Sequence, residues 1–224
     1  MIGLRILKRR RAVDLALAQR FLGVPVANVS DCMSRMSAGG ARLRPMHGGG
    51  AMAGPALTIK TRPGDNLMIH KALQLAQTGD VIVVDAGGDL TNALIGEIMV
   101  GDAIKRGLGG IVINGAIRDA GAIRGGSFPV FAAGVTHRGP YKDGPGEINV
   151  PIAIDGMVVE PGDLIIGDDD GLLCVPHDDA QALLAAAQHK QVVEARMIAD
   201  IAGGTYDAAW VDATLERLNC PIEA

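Results

Sequence analysis

The two runs "DVIVVDAGG" and "IVINGAIRD" constrain the fold of this chain more than any other feature. Each is short, rich in β-branched residues and almost continuously apolar, which is typical of a strand buried on both faces of a sheet. The stretch "ALIGEIMVGDAIKRGLGG" between them has apolar residues at helical spacing, and "FPVFAAGVT" predicts a third buried strand. This order of strand, helix and strand predicts parallel strands joined by helical crossovers.

The sequence on either side predicts helices at both ends and hairpins before the last helix. Residues 11–23 have a helical pattern, Ser30 or Asp31 is placed to cap a second, short helix, and residues 178–201 predict a long third one. Before that long helix, Asp-Gly and Pro-Gly turns separate short strands, as they do in hairpins. We therefore expect a single α/β domain over residues 1–224, with an N-terminal helix and a C-terminal helical extension.

Composition limits the classes of partner. The chain has 21 Lys and Arg against 25 Asp and Glu, a net charge of −4, which argues against affinity based on nucleic-acid phosphates. The basic stretch "RILKRRR" is a candidate for binding an acidic surface, but a solvated helix face is the commoner explanation and the one predicted here. Cys32, Cys174 and Cys220 are far apart, and no apolar run approaches the roughly 18 residues that a membrane span needs. We expect a reduced, cytoplasmic protein that binds neither nucleic acid nor membrane.

The pair Arg118-Asp119 directly follows the predicted strand "IVINGA". The carboxyl ends of parallel strands are where α/β folds bind ligands. An arginine there offers a planar fork for a carboxylate, and an aspartate offers hard oxygen for Mg²⁺ or Mn²⁺. From spacing alone, a surface ion pair after a turn explains the two residues equally well.

Glu97 stands near the start of the predicted helix before that strand, directly after Gly96. The first turn of a helix presents free N–H groups and the positive end of the helix dipole, so a ligand carboxylate binds favourably there. A favourable interaction of Glu97 itself with that dipole explains the residue equally well.

Other polar residues have simpler structural explanations. Lys60 in "LTIKT" is a candidate for Schiff-base chemistry, but a strand-edge lysine is the simpler interpretation. Asn66 is interpreted as the cap of a helix that carries His70. The run "GDDDG" lacks the spaced ligands and distal glutamate of an EF-hand loop and predicts a hairpin turn. His47 and His137 have no histidine partner at metal-binding spacing.

A Gly-Glu pair followed, after twenty residues, by Arg-Asp resembles the pattern of the RraA-like family. The stretches that support this resemblance span about residues 25–180; they are "VSDCMSRM", "TRPGDNLMIHKAL", "GDVIVVDAGG", "GEIMVGDAIKRGLGGIVINGAIRD" and "PGDLIIGDDDGLLCVP". The resemblance implies an α/β fold, an α-β-β-α sandwich with mixed sheets of the swivelling-domain type, assembled as a homotrimer or homohexamer. The family includes divalent-metal pyruvate aldolases acting on 4-hydroxy-4-methyl-2-oxoglutarate and 4-carboxy-4-hydroxy-2-oxoadipate.

The resemblance also implies roles for particular residues. Arg118 would contact the pyruvyl part of a 2-keto acid substrate, and Asp119 would ligate Mg²⁺ or Mn²⁺. Glu97 would approach the metal through water, and Glu194 of a neighbouring subunit would do the same. The backbone that would hold the substrate carboxylate lies at Gly96, Ile98 and Met99. The second half of the substrate would be read by loops, including "THRGPYKDGPGE", whose geometry the sequence does not give.

This resemblance favours a carbon–carbon lyase. Cleavage of a 4-hydroxy-2-keto acid leaves the enolate of pyruvate, whose charge a divalent cation and Arg118 would stabilise. Loss of CO₂ from oxaloacetate gives the same enolate, so an oxaloacetate decarboxylase side activity is expected. The alternative is a non-catalytic regulator that binds and inhibits an RNA-degrading endonuclease, but such members tend to lose the aspartate after the arginine. A demethylmenaquinone methyltransferase, a description that this family has carried, would need a glycine-rich nucleotide-binding motif that is absent here.

Overall fold

The computed structural model describes residues 3–37 and 39–222 of the chain. The strands are β1 (Leu4–Ile6), β2 (Arg44–Pro45), β3 (Met52–Thr61), β4 (Val81–Asp85), β5 (Ala93–Ile95), β6 (Gly110–Ile117), β7 (Val130–Val135), β8 (Gly146–Ile148), β9 (Ile152–Ile154), β10 (Met157–Val159), β11 (Leu164–Asp168) and β12 (Gly171–Val175). The helices are α1 (Leu15–Gln19), α2 (Val26–Cys32), α3 (Leu67–Leu75), α4 (Glu97–Lys105), α5 (Ala120–Arg124), α6 (Ala180–Gly203) and α7 (Ala209–Arg217). The chain divides into two compact units, one up to Ala187 and one from Gln188 onward. A single domain over residues 1–224 stays a prediction.

The first unit is built on a ten-stranded mixed sheet. Its strands β3, β4, β6 and β7 run parallel, as the predicted helical crossovers require. Strand β11 pairs antiparallel with β3 and with β12, and the register of Asp168 with Gly171 confirms the hairpin turn predicted at "GDDDG". Strands β9 and β10 form a separate two-stranded hairpin.

The central strands are buried on both faces, as their continuous apolar runs predict. In β4, Ile82 and Val84 pack in one apolar cluster with residues of α3 and α4. The alternate residues Val81 and Val83 point to the opposite face and pack in a second cluster with residues of β9 to β12. Successive side chains of a strand point to opposite faces, so both faces of this sheet require cover.

The hairpin β11–β12 is also covered on both sides. Ile165 belongs to the cluster beneath the central strands, whereas Leu164 and Ile166 pack with residues of α1, α2 and the first turns of α6. The order of layers is therefore helices, central sheet, hairpins and helices. The expected α-β-β-α sandwich with mixed strands is confirmed.

The basic N-terminal stretch is not a helix, so the prediction of a solvated helix face at "RILKRRR" is wrong. Residues Leu4–Ile6 form β1, which pairs in parallel with β8. The extended chain that follows carries Arg9, whose Nη1 lies 2.7 Å from Asp80 Oδ1 in a largely buried ion pair. A segment rich in Leu, Lys and Arg has a local tendency to form a helix, but strand pairing and this ion pair stabilise the extended form more.

Three local predictions differ from the structure at element boundaries. The predicted N-terminal helix is reduced to α1, followed by a 3₁₀ turn at Arg20–Gly23. Ser30 and Asp31 lie inside α2, which begins after Pro25, so neither caps it. Residues Ala93–Ile95, predicted to be helical, pair with the end of β6 as β5. Tertiary pairing overrides local spacing at such short segments.

The second unit contains the later part of α6 and the helix α7. Lys190 Nζ and Glu194 Oε1 form an ion pair at 3.1 Å, four residues apart on one face of α6. Trp210 Nε1 donates to the Tyr206 hydroxyl oxygen at 3.3 Å. Within residues 3–37 and 39–222, every helix is too short or too polar to cross a membrane.

Candidate active site

A cavity of about 150 Å³ lies at the carboxyl end of β6, where an α/β sheet is expected to bind ligands. Its walls come from the start of α3, the strand β5, the first turn of α4 and the loop after β7. The lining residues are Asn66, His70, Ala93, Leu94, Ile95, Gly96, Ile98, Met99, Arg118, Asp119, Pro140 and Lys142. The structure thus brings together five of the predicted site residues, namely Gly96, Ile98, Met99, Arg118 and Asp119.

Asp119 is fixed by its backbone and by its carboxylate. It precedes α5 with φ 56° and ψ 34°, a left-handed conformation that few residues other than glycine, asparagine and aspartate adopt. Its Oδ2 accepts a hydrogen bond from the Glu97 N–H at 3.1 Å and lies 3.6 Å from Arg118 Nε. Such backbone strain persists only where its surroundings fix it, and it clusters at functional sites.

Gly96 allows this close approach because it has no side chain. A Cβ atom at this position would lie 2.2 Å from Asp119 Oδ2 and 3.0 Å from Arg118 Cγ. Real Cβ atoms do not come so close, so any larger residue would displace the pair. The glycine before α4 is therefore part of the site geometry as well as a helix start.

The first turn of α4 offers one free backbone donor to the cavity. The Met99 N–H donates to the Gly96 carbonyl oxygen at 3.1 Å. Within residues 3–37 and 39–222, the Ile98 N–H has no hydrogen-bond acceptor. Together with the helix dipole, this donor suits a ligand carboxylate.

The residues that line the cavity do not include Glu97 or Glu194. Glu97 is exposed and lines a separate groove between α4 and α5, together with Val100, Ile104 and Phe128, while only its backbone N–H contacts Asp119. Glu194 lies in the second unit, paired with Lys190. Their roles near a metal stay predictions.

The sequence-based interpretation missed the wall formed by Asn66 and His70. Asn66 takes the N-cap position of α3, but its Nδ2 donates to the Leu94 carbonyl oxygen at 2.8 Å. The Asp65 carboxylate, rather than Asn66, caps the helix by accepting from the Leu67 N–H at 3.0 Å. Asn66 is only 3% exposed, and its Oδ1 has no hydrogen-bond donor among the described residues. A buried acceptor without a partner is unusual in native proteins, so this oxygen is available to a group bound in the cavity.

His70 lies one turn further along α3, half-buried in the same wall. Burial lowers the pKa of His70, and the positive charge of Lys142 lowers it further, against a smaller raising effect of Asp102. The lowered pKa favours the neutral form of the imidazole over the charged form. Lys60, the candidate for Schiff-base chemistry, is exposed on β3 and does not line this cavity.

The donor set fits a hard divalent cation held by few protein ligands. Within residues 3–37 and 39–222, no group of three or more His, Cys, Asp or Glu side chains is arranged to hold a metal. Among the described residues that line the cavity, Asp119 is the one with a carboxylate side chain. Mg²⁺ commonly keeps several waters and binds one or two carboxylates plus substrate oxygens, whereas a structural zinc site needs four protein ligands. The residues present therefore suit Mg²⁺ or Mn²⁺ bound through Asp119 and a ligand.

A family model described as Aldolase/RraA matches residues 26–174, which include every residue that lines the cavity. The chain belongs to the RraA-like family. A relative from Halalkalibacterium halodurans, with the provisional name 4-hydroxy-4-methyl-2-oxoglutarate aldolase, is 39% identical over 178 residues, 80% of this chain and 85% of that protein. These matches confirm the resemblance to the RraA-like family that the sequence motifs indicated. The name of the relative supports an aldolase family.

Solved structures of other proteins support the RraA-like fold. An uncharacterised protein from Pseudomonas syringae superimposes with a TM-score of 0.78 over 86% of this chain and 95% of that one, at 24% identity. The RNA-processing inhibitor RraA from Thermus thermophilus superimposes with a TM-score of 0.63 over 68% of this chain and 92% of that one, at 32% identity. Relatives of this chain thus carry names of different function, an aldolase and an RNA-processing inhibitor. The function has to be argued from the residues of the site, because a shared fold does not determine it.

Proposed function

We propose that this RraA-like protein is a metal-dependent lyase that cleaves a 4-hydroxy-2-keto di- or tricarboxylic acid into pyruvate and a second keto acid. The observation that carries the proposal is the convergence of the Arg118 guanidinium, the Asp119 carboxylate and the free Ile98 N–H on one cavity. The cavity volume of about 150 Å³ is below the roughly 300–1,000 Å³ typical of drug-sized ligands, which favours a small acid. The provisional name of the H. halodurans relative supports the same chemistry.

The substrate would be held by its pyruvyl end. The Ile98 N–H and the helix dipole would bind the carboxylate next to the ketone. A cation bound to Asp119 would act as a Lewis acid towards the ketone. Arg118, which lies 3.6 Å from Asp119, would donate to the ketone oxygen from the adjacent side.

Cleavage breaks the bond between C3 and C4. The C4 hydroxyl gives up its proton to solvent water and becomes a carbonyl. The electron pair of the broken bond becomes the enolate of pyruvate, which takes a proton from water at C3. Hydrogen bonds from Arg118 strengthen as negative charge develops on the enolate oxygen, so they stabilise the transition state more than the substrate. Protonation at C3 then gives pyruvate. Loss of CO₂ from oxaloacetate reaches the same enolate, so we propose that decarboxylation accompanies cleavage.

Substitution of Arg118 tests this assignment. Arg118→Ala should lower the rate of pyruvate release from oxaloacetate by about a hundredfold or more, the usual effect of removing one donor to a developing oxyanion. Arg124→Ala, an exposed arginine on α5 outside the cavity, is the matched control and should keep the wild-type rate. Chelation of divalent metal should abolish the activity, and Mg²⁺ or Mn²⁺ should restore it. Equal rates for wild type and Arg118→Ala would refute the proposed site.

We also propose that the protein works in the cytoplasm as a homotrimer or homohexamer, with Glu194 near a neighbouring subunit's site. Ile98 is 79% exposed although it lines the cavity, and Ile104 on the same helix is also exposed. Open apolar side chains beside a site suit cover by another copy of the chain. The mass in solution, measured by light scattering, tests the assembly, and a monomeric mass would contradict it.

The competing function is that of a non-catalytic regulator of an RNA-degrading endonuclease. The structural relative from T. thermophilus, an RNA-processing inhibitor, is the observation that favours it. Such a regulator has no need of a metal site at Asp119. Titration with Mn²⁺ separates the two: we expect binding by the wild type and its loss in Asp119→Asn.

A further inference from the structure

The buried carboxylate of Asp65 joins the start of α3 to residues 141–144, here called the 141–144 loop. Asp65 is 0% exposed. Its Oδ2 accepts from the N–H groups of Asp143 and Gly144, each at 2.8 Å, and from Arg62 Nη2 at 3.1 Å. Its Oδ1 accepts from the Leu67 N–H at 3.0 Å. A fully buried carboxylate with four donors is strongly held, so the loop and the helix start are fixed relative to each other.

Further backbone hydrogen bonds hold the 141–144 loop just before Lys142. The Tyr141 N–H donates to the Gly64 carbonyl oxygen at 2.8 Å, and the Asn66 N–H donates to the Tyr141 carbonyl oxygen at 3.0 Å. With the bonds from Asp143 and Gly144, both sides of Lys142 are therefore tied down. Lys142 itself lines the cavity.

In the part of the chain that the structure describes, the ammonium group of Lys142 has no acidic partner. Within residues 3–37 and 39–222, no carboxylate lies within ion-pair distance of it. Arg118, in contrast, lies beside Asp119. The positive charge of Lys142 also acts on His70, whose pKa is lowered by burial and by that charge. Lys142 is therefore a second cationic residue in the cavity lining, besides Arg118.

We propose that Lys142 binds the second carboxylate of the substrate, the one remote from the ketone, and that Asp65 positions it. This inference rests on the proposed function and narrows it to substrates with a carboxylate on C4. A preordered loop loses little entropy when the carboxylate binds, so one lysine on it discriminates effectively. Asp65 does not line the cavity, so it acts on Lys142 through the hydrogen bonds that hold the loop against the start of α3.

Two substrates that differ by one carboxylate test the assignment of Lys142. In 4-hydroxy-4-methyl-2-oxoglutarate, C4 carries a carboxylate. In 4-hydroxy-2-oxopentanoate, a hydrogen atom takes the place of that carboxylate. Lys142→Met should lower kcat/KM for the first about 10- to 100-fold, as expected for one hydrogen bond to a charged group, with little change for the second. Proton exchange at the methyl group of pyruvate, measured by NMR in D₂O, should stay at the wild-type rate because pyruvate has no second carboxylate.

Lys71→Met is the matched control for the loss of a lysine near the site. Lys71 lies on α3 beside His70, but its Nζ donates to Gln74 Oε1 at 3.2 Å and it does not line the cavity. It should keep the wild-type preference between the two substrates. Equal losses on both substrates in Lys142→Met, or no loss on either, would overturn the assignment. A wild-type protein that neither cleaves these acids nor exchanges pyruvate protons would instead refute the proposed function, and this inference with it.

Asp65→Asn tests the positioning role separately. The amide removes the charge that the loop N–H groups and Arg62 share. We expect the same selective loss on 4-hydroxy-4-methyl-2-oxoglutarate, with pyruvate proton exchange retained. A parallel loss of pyruvate exchange would show a general structural role and contradict positioning of Lys142.

Discussion

The geometry of the candidate site depends on single residues, including a glycine that has no side chain. In the proposed lyase, Arg118 and Asp119 would carry the chemistry. Their close approach to the start of α4 depends on the missing side chain of Gly96. Asp119 also adopts a left-handed conformation that brings its carboxylate to the Glu97 N–H. An aspartate tolerates that conformation better than most residues because its short polar side chain forms local hydrogen bonds.

Gly96→Ala tests the importance of that space. The added Cβ would lie 2.2 Å from Asp119 Oδ2, so the pair must shift, and activity should fall at least about tenfold for a misplacement of this kind. Gly101→Ala on the same helix is the control, since nothing lies within 4 Å of its Cβ. Alanine there should keep activity and raise the free energy of unfolding by roughly 0.5–1 kcal/mol. Initial rates and denaturant unfolding measure both effects.

At the scale of elements, the site is assembled from the ends of segments that are distant in sequence. The end of β6 supplies Arg118 and Asp119, the start of α4 supplies Ile98, and α3 supplies His70. Ile69 and Leu73 on the inner face of α3 are buried in the apolar cluster that also contains Ile82 and Val84 of β4. Because that packing fixes the helix, His70 is held half-buried at the cavity wall.

The packing of α3 predicts a pH dependence of stability. The pKa of His70 is lowered by burial and by Lys142, so below the unfolded value of about 6.5 the unfolded chain binds more protons than the native one. The free energy of unfolding should therefore fall as pH drops from 7.5 to 5.5. His70→Gln should reduce this fall, whereas His137→Gln in an exposed loop should retain it. Urea unfolding at the two pH values measures the difference, and identical falls in His70→Gln and wild type would contradict the prediction.

At the scale of the whole molecule, the extended N-terminal segment lies across the edge of the central sheet. Strand β1 pairs with β8, and Arg9 reaches Asp80 in the turn before β4. The Arg9 and Asp80 side chains are only 14% and 2% exposed. Asp80 Oδ2 also accepts from the Gln77 N–H at 2.8 Å, so the same carboxylate ties the segment to the turn.

Arg9→Met tests that connection. Removing one partner leaves the Asp80 charge buried, which typically costs about 3–5 kcal/mol, although the partly exposed Arg9 site favours the lower end. Arg10→Met, at an exposed neighbour, should change the free energy of unfolding by less than about 0.5 kcal/mol. Thermal unfolding of the two variants makes the comparison. Similar melting temperatures would show that the ion pair does not stabilise the fold.

Much of the fold could be predicted from local sequence because its central strands are buried on both faces. The runs at Val81–Asp85 and Gly110–Ile117 contain consecutive apolar residues instead of an alternation of apolar and polar ones. This pattern is typical of strands in a sheet that is covered on both faces. The Arg118-Asp119 pair could be located for a related reason, since it follows the end of such a strand. The stretch Leu4–Ile6 could not be assigned, because three exposed residues become a strand only through pairing with β8.

The sequence by itself determined the family, the layered α/β architecture and the two charged residues after β6, because these depend on local apolar patterns and on neighbours in the chain. Only the tertiary structure decided which other groups join them. Asn66, His70 and Lys142 lie on different segments, and their meeting depends on the packing of α3 and on the hydrogen bonds of a buried carboxylate at Asp65. Residue spacing in a sequence shows which side chains share a face of one helix or strand. It does not show which distant segments come together when the chain folds.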